Sequence, residues 1–67
     1  MGFNKRYLTI EKVITASNDS FMSLEKLFNC DTIIFTGGYS ELLEEIQILV
    51  KEKNYIKIKE LVNNLKF

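Results

Sequence analysis

The chain has no proline, histidine or tryptophan, and only one cysteine, one arginine and one alanine in 67 residues. A lone thiol, Cys30, cannot close an internal disulfide. Without histidine the common metal sites are missing, and no imidazole is present to raise the thiolate fraction of Cys30. The neighbouring Asp31 disfavours a thiolate further, so Cys30 reads as a small buried apolar residue. No run approaches the ~20 apolar residues of a membrane-spanning helix. The first residues lack the apolar stretch and small-residue site of a secretory leader. Met1-Gly2 opens like a myristoylation site, but Arg6 stands where Ser or Thr is required. The expected compartment is the cytoplasm, in keeping with a single thiol.

An excess of either charge is missing too. Nine basic and nine acidic side chains cancel. They are segregated, however. Residues 1–18 and 46–67 are net basic, whereas 19–45 carry Asp19, Glu25, Asp31, Glu41, Glu44 and Glu45 against Lys26 alone. Such a basic–acidic–basic chain can pair with a copy of itself, although helix-end charges on solvated faces give the same pattern. No segment reaches the basic density of a sequence-independent DNA binder. The abundance of Ile, Lys and Asn points to an A+T-rich coding sequence, as in a low-GC bacterium or its phage or mobile element.

What the chain has is apolar surface: 46% of its residues are hydrophobic. At 7.8 kDa, surface scaling gives roughly 4,400 Å² folded against about 11,300 Å² unfolded. Burying that ~7,000 Å², about 60% of it apolar, contributes ~100 kcal/mol at ~25 cal/mol/Å². Ordering the chain costs ~100 kcal/mol. The two terms cancel, which leaves close helix packing or association with another subunit to supply net stability.

Along the chain, Phe3, Tyr7, Ile10 and Ile14 recur at helical spacing, joined by Val13. Thr9 caps a helix expected over 9–16, although the β-branched residues around it also suit a strand. Ser17-Asn18-Asp19-Ser20 reads as a break, because all four side chains compete for nearby backbone. A second helix follows over 20–29. Residues 31–36 are ambiguous. The Ile33-Ile34-Phe35 run reads as a short strand, yet Asp31 and Gly37 would also bracket a one-turn helix. A strand there requires a partner, either 6–10 or the same strand of another subunit. The last third is two amphipathic helices. The first is capped by Ser40, has glutamates in its first turn and Lys51 and Lys53 in its last, and ends at Asn54. The second carries Tyr55, Ile58, Leu61, Val62 and Leu65 on one face. Their short connection implies an antiparallel αα-hairpin. The expected fold is one small, mainly α domain of three to four short helices over 1–67, with one short strand at 31–36. The alternative is an α+β arrangement in which 6–10 pairs with 31–36.

Gly37-Gly38 between an apolar run and a helix start resembles the beginning of a phosphate-binding loop. Its spacing matches neither the P-loop nor the dinucleotide fingerprint, and no Lys or Arg follows. Glu41, Glu44 and Glu45 follow instead and already occupy the helix N-terminus as its anions. Those carboxylates are expected to stay wet, which suits neither metal ligation nor general acid catalysis.

No catalytic, cofactor or metal site is therefore expected. The reading favoured is a small non-enzymatic protein–protein interaction or regulatory module, such as an inhibitor, working as a homodimer. Its contact residues would be Tyr39 and Phe67 as exposed anchors outside the periodic faces, with Glu41, Glu45, Lys57 and Lys59 matching charge on the partner. A helix-turn-helix DNA-binding regulator is the alternative, since 9–17 and 20–29 have suitable lengths. Its weakness is a second helix offering only Lys26 and Asn29 to base edges. A structural subunit of a homo-oligomer is the third class.

Overall fold

A computed structural model describes residues 5–65. The chain runs β1 (Lys5–Leu8), α1 (Ile10–Asp19), α2 (Phe21–Phe28), β2 (Thr32–Phe35), α3 (Ser40–Lys51) and α4 (Tyr55–Asn63). It is mainly helical, and the order strand–helix–helix occurs twice. The strands pair in parallel, from Lys5 opposite Thr32 to Leu8 opposite Phe35. Parallel strands need a crossover connection, and α1 with α2 supplies it. Within 31–36, Thr32–Phe35 thus forms a strand rather than a helical turn, and the strand pairing of the α+β alternative is present, with Lys5–Leu8 rather than 6–10 as its partner. Thr36 extends the contact by donating its N–H to the Leu8 carbonyl at 2.9 Å. The helical spacing of Tyr7 with Ile10 and Ile14 is accidental, because Tyr7 lies in β1.

Thr9 caps α1 as expected, accepting from the Lys12 N–H at 3.4 Å. The helix does not stop at 16, however. Ser17, Asn18 and Asp19 continue it, and Ser17 is fully buried on the face that carries Ile10 and Val13. Burial of that stripe outweighs the local preference of three turn-forming residues. The break shrinks to Ser20, which serves both helices. Its N–H closes α1 on the Ala16 carbonyl at 3.1 Å, and its hydroxyl accepts from the Ser23 N–H at 3.1 Å to open α2.

The start of α3 also differs from expectation. Gly37 and Gly38 take φ of 81° and 89°, and Tyr39 follows at φ 63° in the left-handed region. The glycine turn therefore runs one residue further. Tyr39 occupies the N-cap with no side-chain capping bond, and Ser40 is the first helical residue. At the other end the Lys53 N–H donates to the Val50 carbonyl at 3.1 Å, and the Asn54 N–H to that of Leu49 at 2.9 Å. These two bonds form a Schellman ending, with Lys53 at φ 57° where glycine is usual. Asn54 then caps α4, accepting from the Lys57 N–H at 3.2 Å.

Leu8, Val13, Leu24, Leu43, Ile46 and Ile58 are fully buried. They come from β1 and all four helices, so one core joins the elements. Helices α3 and α4 pack on each other, and also on α2 and α1 respectively. The accessible surface, 4713 Å², is close to the ~4,400 Å² expected for this mass.

Candidate interaction surface

Of the six residues singled out in the sequence, three stand at the start of α3 and two on α4. Tyr39 is 43% exposed at the turn into α3, and Glu41 and Glu45 are exposed in the following turns. Neither carboxylate has an ion-pair partner among the described residues. The two lysines lie on α4 and are engaged within the chain. Lys57 pairs with Glu60 at 3.8 Å. Lys59 donates to Asn18 Oδ1 at 3.3 Å and sits 5.9 Å from the centroid of the Tyr55 ring. Phe67 lies outside the described residues. Cys30 is half-buried rather than buried. It occupies the connection from α2 to β2, and its thiol donates to the Thr32 carbonyl at 3.3 Å. Among the described residues, no group of three or more His, Cys, Asp or Glu could hold a metal ion. No helix among them is long and apolar enough to cross a membrane.

A different surface emerges from the strands. Side chains alternate across a sheet, so Arg6, Leu8, Ile33 and Phe35 share one face. Leu8, Ile33 and Phe35 pack into the core there. The Arg6 guanidinium reaches the end of α2 and donates from Nη1 to the carbonyls of Lys26 at 2.7 Å and Leu27 at 2.8 Å. The Lys26 carbonyl also accepts the Asn29 N–H at 3.3 Å, and the cation sits at the negative end of the helix dipole. The opposite face carries Lys5, Tyr7, Thr32 and Ile34. Tyr7 is 55% exposed. Its register partner is Ile34, half-buried and outside the core cluster. An aromatic and a β-branched side chain thus stand side by side toward solvent. Parallel sheets ordinarily have both faces covered. This one has two strands of four residues each, so among the described residues each strand also keeps one edge without a β neighbour.

A second feature is a groove between α2 and α3, with a volume of about 450 Å³. Its walls include Met22, Phe28 and Val50, and Lys26, Lys51 and Lys53 stand at its rim. Lys53 closes part of it through an ion pair with Glu25 at 3.1 Å.

Sequence reasoning missed Tyr7 and Ile34 because each sits in a run that also fits a helix or a core strand. Four residues are too few for a period of two to stand out against a period of 3.6. Lys5-Arg6-Tyr7-Leu8 reads polar, polar, apolar, apolar, so no alternation marks β1 in the sequence. Compared with known proteins, the chain matches no family model, no curated protein and no solved structure.

Proposed function

We propose that this chain is a small non-enzymatic binding module that modulates another protein by occupying part of its surface, as a regulator or inhibitor does. The observation that carries the reading is the open outer face of the parallel sheet, where Tyr7 and Ile34 are register partners and Tyr7 is over half exposed. An exposed aromatic beside a half-buried aliphatic side chain favours a protein contact. The unpaired strand edges beside them offer backbone donors and acceptors to an extended segment of the partner. Tyr39, 43% exposed near the C-terminal end of β2, extends the same region of chain with an aromatic of low conformational entropy. The cytoplasm remains the compartment proposed, on the strength of one thiol, and a low-GC bacterium or its phage the proposed source.

The DNA-binding alternative draws less support. The exposed side of α2 presents Met22, Lys26 and Asn29, a single cation beside an apolar residue. Glu25 on the same helix would repel phosphate, although Lys53 partly neutralises it.

The test compares the native chain with a Tyr7→Ser, Ile34→Thr double variant, each immobilised and exposed to a lysate of its host. Both substitutions lie on the solvent side of the sheet, so circular dichroism and Tm should change little. The native chain is expected to retain one protein in stoichiometric amount, and the double variant to lose at least ~90% of it, as for removal of a central aromatic contact. Equal retention by both would remove the sheet face from consideration.

A further inference from the structure

We infer that the groove between α2 and α3 is a second binding site, one that takes a short acidic amphipathic helix of another protein. Its walls come from α2, from α3 and from the turn after α3, not from the sheet. It therefore stands apart from the Tyr7 face and does not depend on it. The ionisable groups that line it are Lys26, Lys51 and Lys53 against Glu25, an excess of two positive charges in a chain whose net charge is zero. Lys26 belongs to α2 and Lys51 to α3, so each helix brings a cation to the groove. Both are exposed, and neither has an ion-pair partner among the described residues. Arg6 adds charge at the same end of α2, with Nη1 2.7 Å from the Lys26 carbonyl. The glutamates of α3 do not cancel this excess. At about 100° per residue, Glu41, Glu45 and Glu52 lie roughly 120° or more around the helix from Gln47, which lines the groove. Glu44 lies about one turn before Gln47, beyond the lining residues.

Between the cations the groove is apolar. Phe28 and Val50 line it while almost fully buried, and Met22 stands 64% exposed beside them. A thioether on an unbranched side chain adapts to the shape of whatever enters. The ligand must therefore combine apolar side chains for the interior with carboxylates for the rim. Both walls are helices, whose backbone groups are already bonded within the helix, so strand addition has nothing to pair with and side chains must supply the affinity. A helix laid in the groove meets that demand, with apolar residues at i and i+4 facing inward and Asp or Glu flanking them toward Lys26 and Lys51. The eight residues of α2 span roughly 12 Å, enough for two turns of such a helix. Lys53 is held to Glu25 at 3.1 Å, with side chains 73% and 40% exposed. A surface pair of that kind is weak and yields its lysine to a ligand carboxylate.

The test selects from a display library of random peptides of roughly 12 residues, about three helical turns, on the native chain. The best peptide is then titrated into the isotope-labelled chain and followed by NMR. Selected peptides are expected to carry Asp or Glu around apolar residues spaced i, i+4. The titration should shift amides within 22–29 and 47–53 and leave those of Tyr7 and Ile34 in place. A Lys26→Glu, Lys51→Glu double variant changes exposed positions only, so its Tm should stay native, and it should bind the same peptide at least ~10-fold more weakly. On the native chain, raising salt from about 0.05 M to about 0.5 M should weaken binding severalfold. Selected peptides without acidic residues overturn the inference, as does binding that survives both the charge reversal and the added salt. A library that yields no binder overturns it too. So does decanoate shifting the groove amides where no peptide does, which would give the groove to a small carboxylic amphiphile. An acidic peptide that maps to Tyr7 and Ile34 defeats this inference and leaves the sheet proposal standing. Binding in the groove as described, with nothing captured through Tyr7, does the reverse.

Discussion

Ser17 prefers, by its chemistry, to leave a helix, since its hydroxyl competes for the backbone bonds that hold one. In this fold it stays helical because its face is wholly covered, and the hydroxyl is left buried with no hydrogen-bond partner among the described residues. Its carbonyl is better served: the Tyr55 hydroxyl donates to it at 2.5 Å, so a residue of α4 satisfies a carbonyl that the end of α1 leaves over. Phe21 packs against the same tyrosine with ring centroids 5.5 Å apart. Ser17→Ala removes the unsatisfied hydroxyl and keeps the carbonyl bond. It should raise stability by about 1 kcal/mol, or roughly 4–8 °C in Tm for a domain of this size. A fall in Tm would mean that the hydroxyl is bonded after all. None of this was legible in the sequence, where Ser17 stood first in a run of four turn-forming residues. Tyr39 is the converse case. Its exposure was expected from its place outside the periodic faces, but its left-handed backbone was not. Nothing in a tyrosine's chemistry announces a positive φ.

The caps of α1 and α2 were legible, whereas the Ser40 cap expected for α3 gave way to Tyr39. Thr9 and Ser20 each accept the bond their position implies, because capping depends on one side chain and three residues of backbone. The ending of α3 was half legible. Asn54 marked the boundary, but the Schellman bonds pass through Lys53, whose side chain carries no sign of that role. Elements defined by distant partners were ambiguous for the same reason. A β-branched run of three became β2 only because β1 lies beside it, more than twenty residues away in sequence. Arg6 shows how such an element is held. It is the chain's only arginine, and it fastens β1 to the end of α2 through two charge-assisted bonds. Arg6→Ala should cost about 2 kcal/mol in urea unfolding, and Arg6→Lys should recover part of it, since an ammonium lacks the planar fork. A loss within experimental error for the alanine variant would show the clamp to be energetically idle.

Across the whole molecule, the mainly helical class, the placement of the last two helices and the absence of a long apolar span could all be read from periodicity and length. The surface available for binding could not, because exposure is a property of how the elements assemble. The residues favoured in the sequence were Tyr39 and Phe67 as anchors with four charged side chains beside them, and two of the charged ones, Lys57 and Lys59, are engaged inside the chain. The outer face of the sheet carries the exposed Tyr7 beside the half-buried Ile34, with the exposed Lys5 and Thr32 next to them. Greasiness alone would not make that face a binding site, since Ile56 is 77% exposed and single exposed apolar residues are ordinary. What distinguishes Tyr7 is an apolar neighbour in register and a free strand edge beside it. A photoreactive phenylalanine analogue placed at position 7, and separately at position 56, separates the two cases in cells. Cross-linking to another protein at one defined adduct mass from position 7, with none from position 56, is the result expected. Equal or absent adducts from the two positions would contradict the proposal that the open sheet face is where this chain meets its partner.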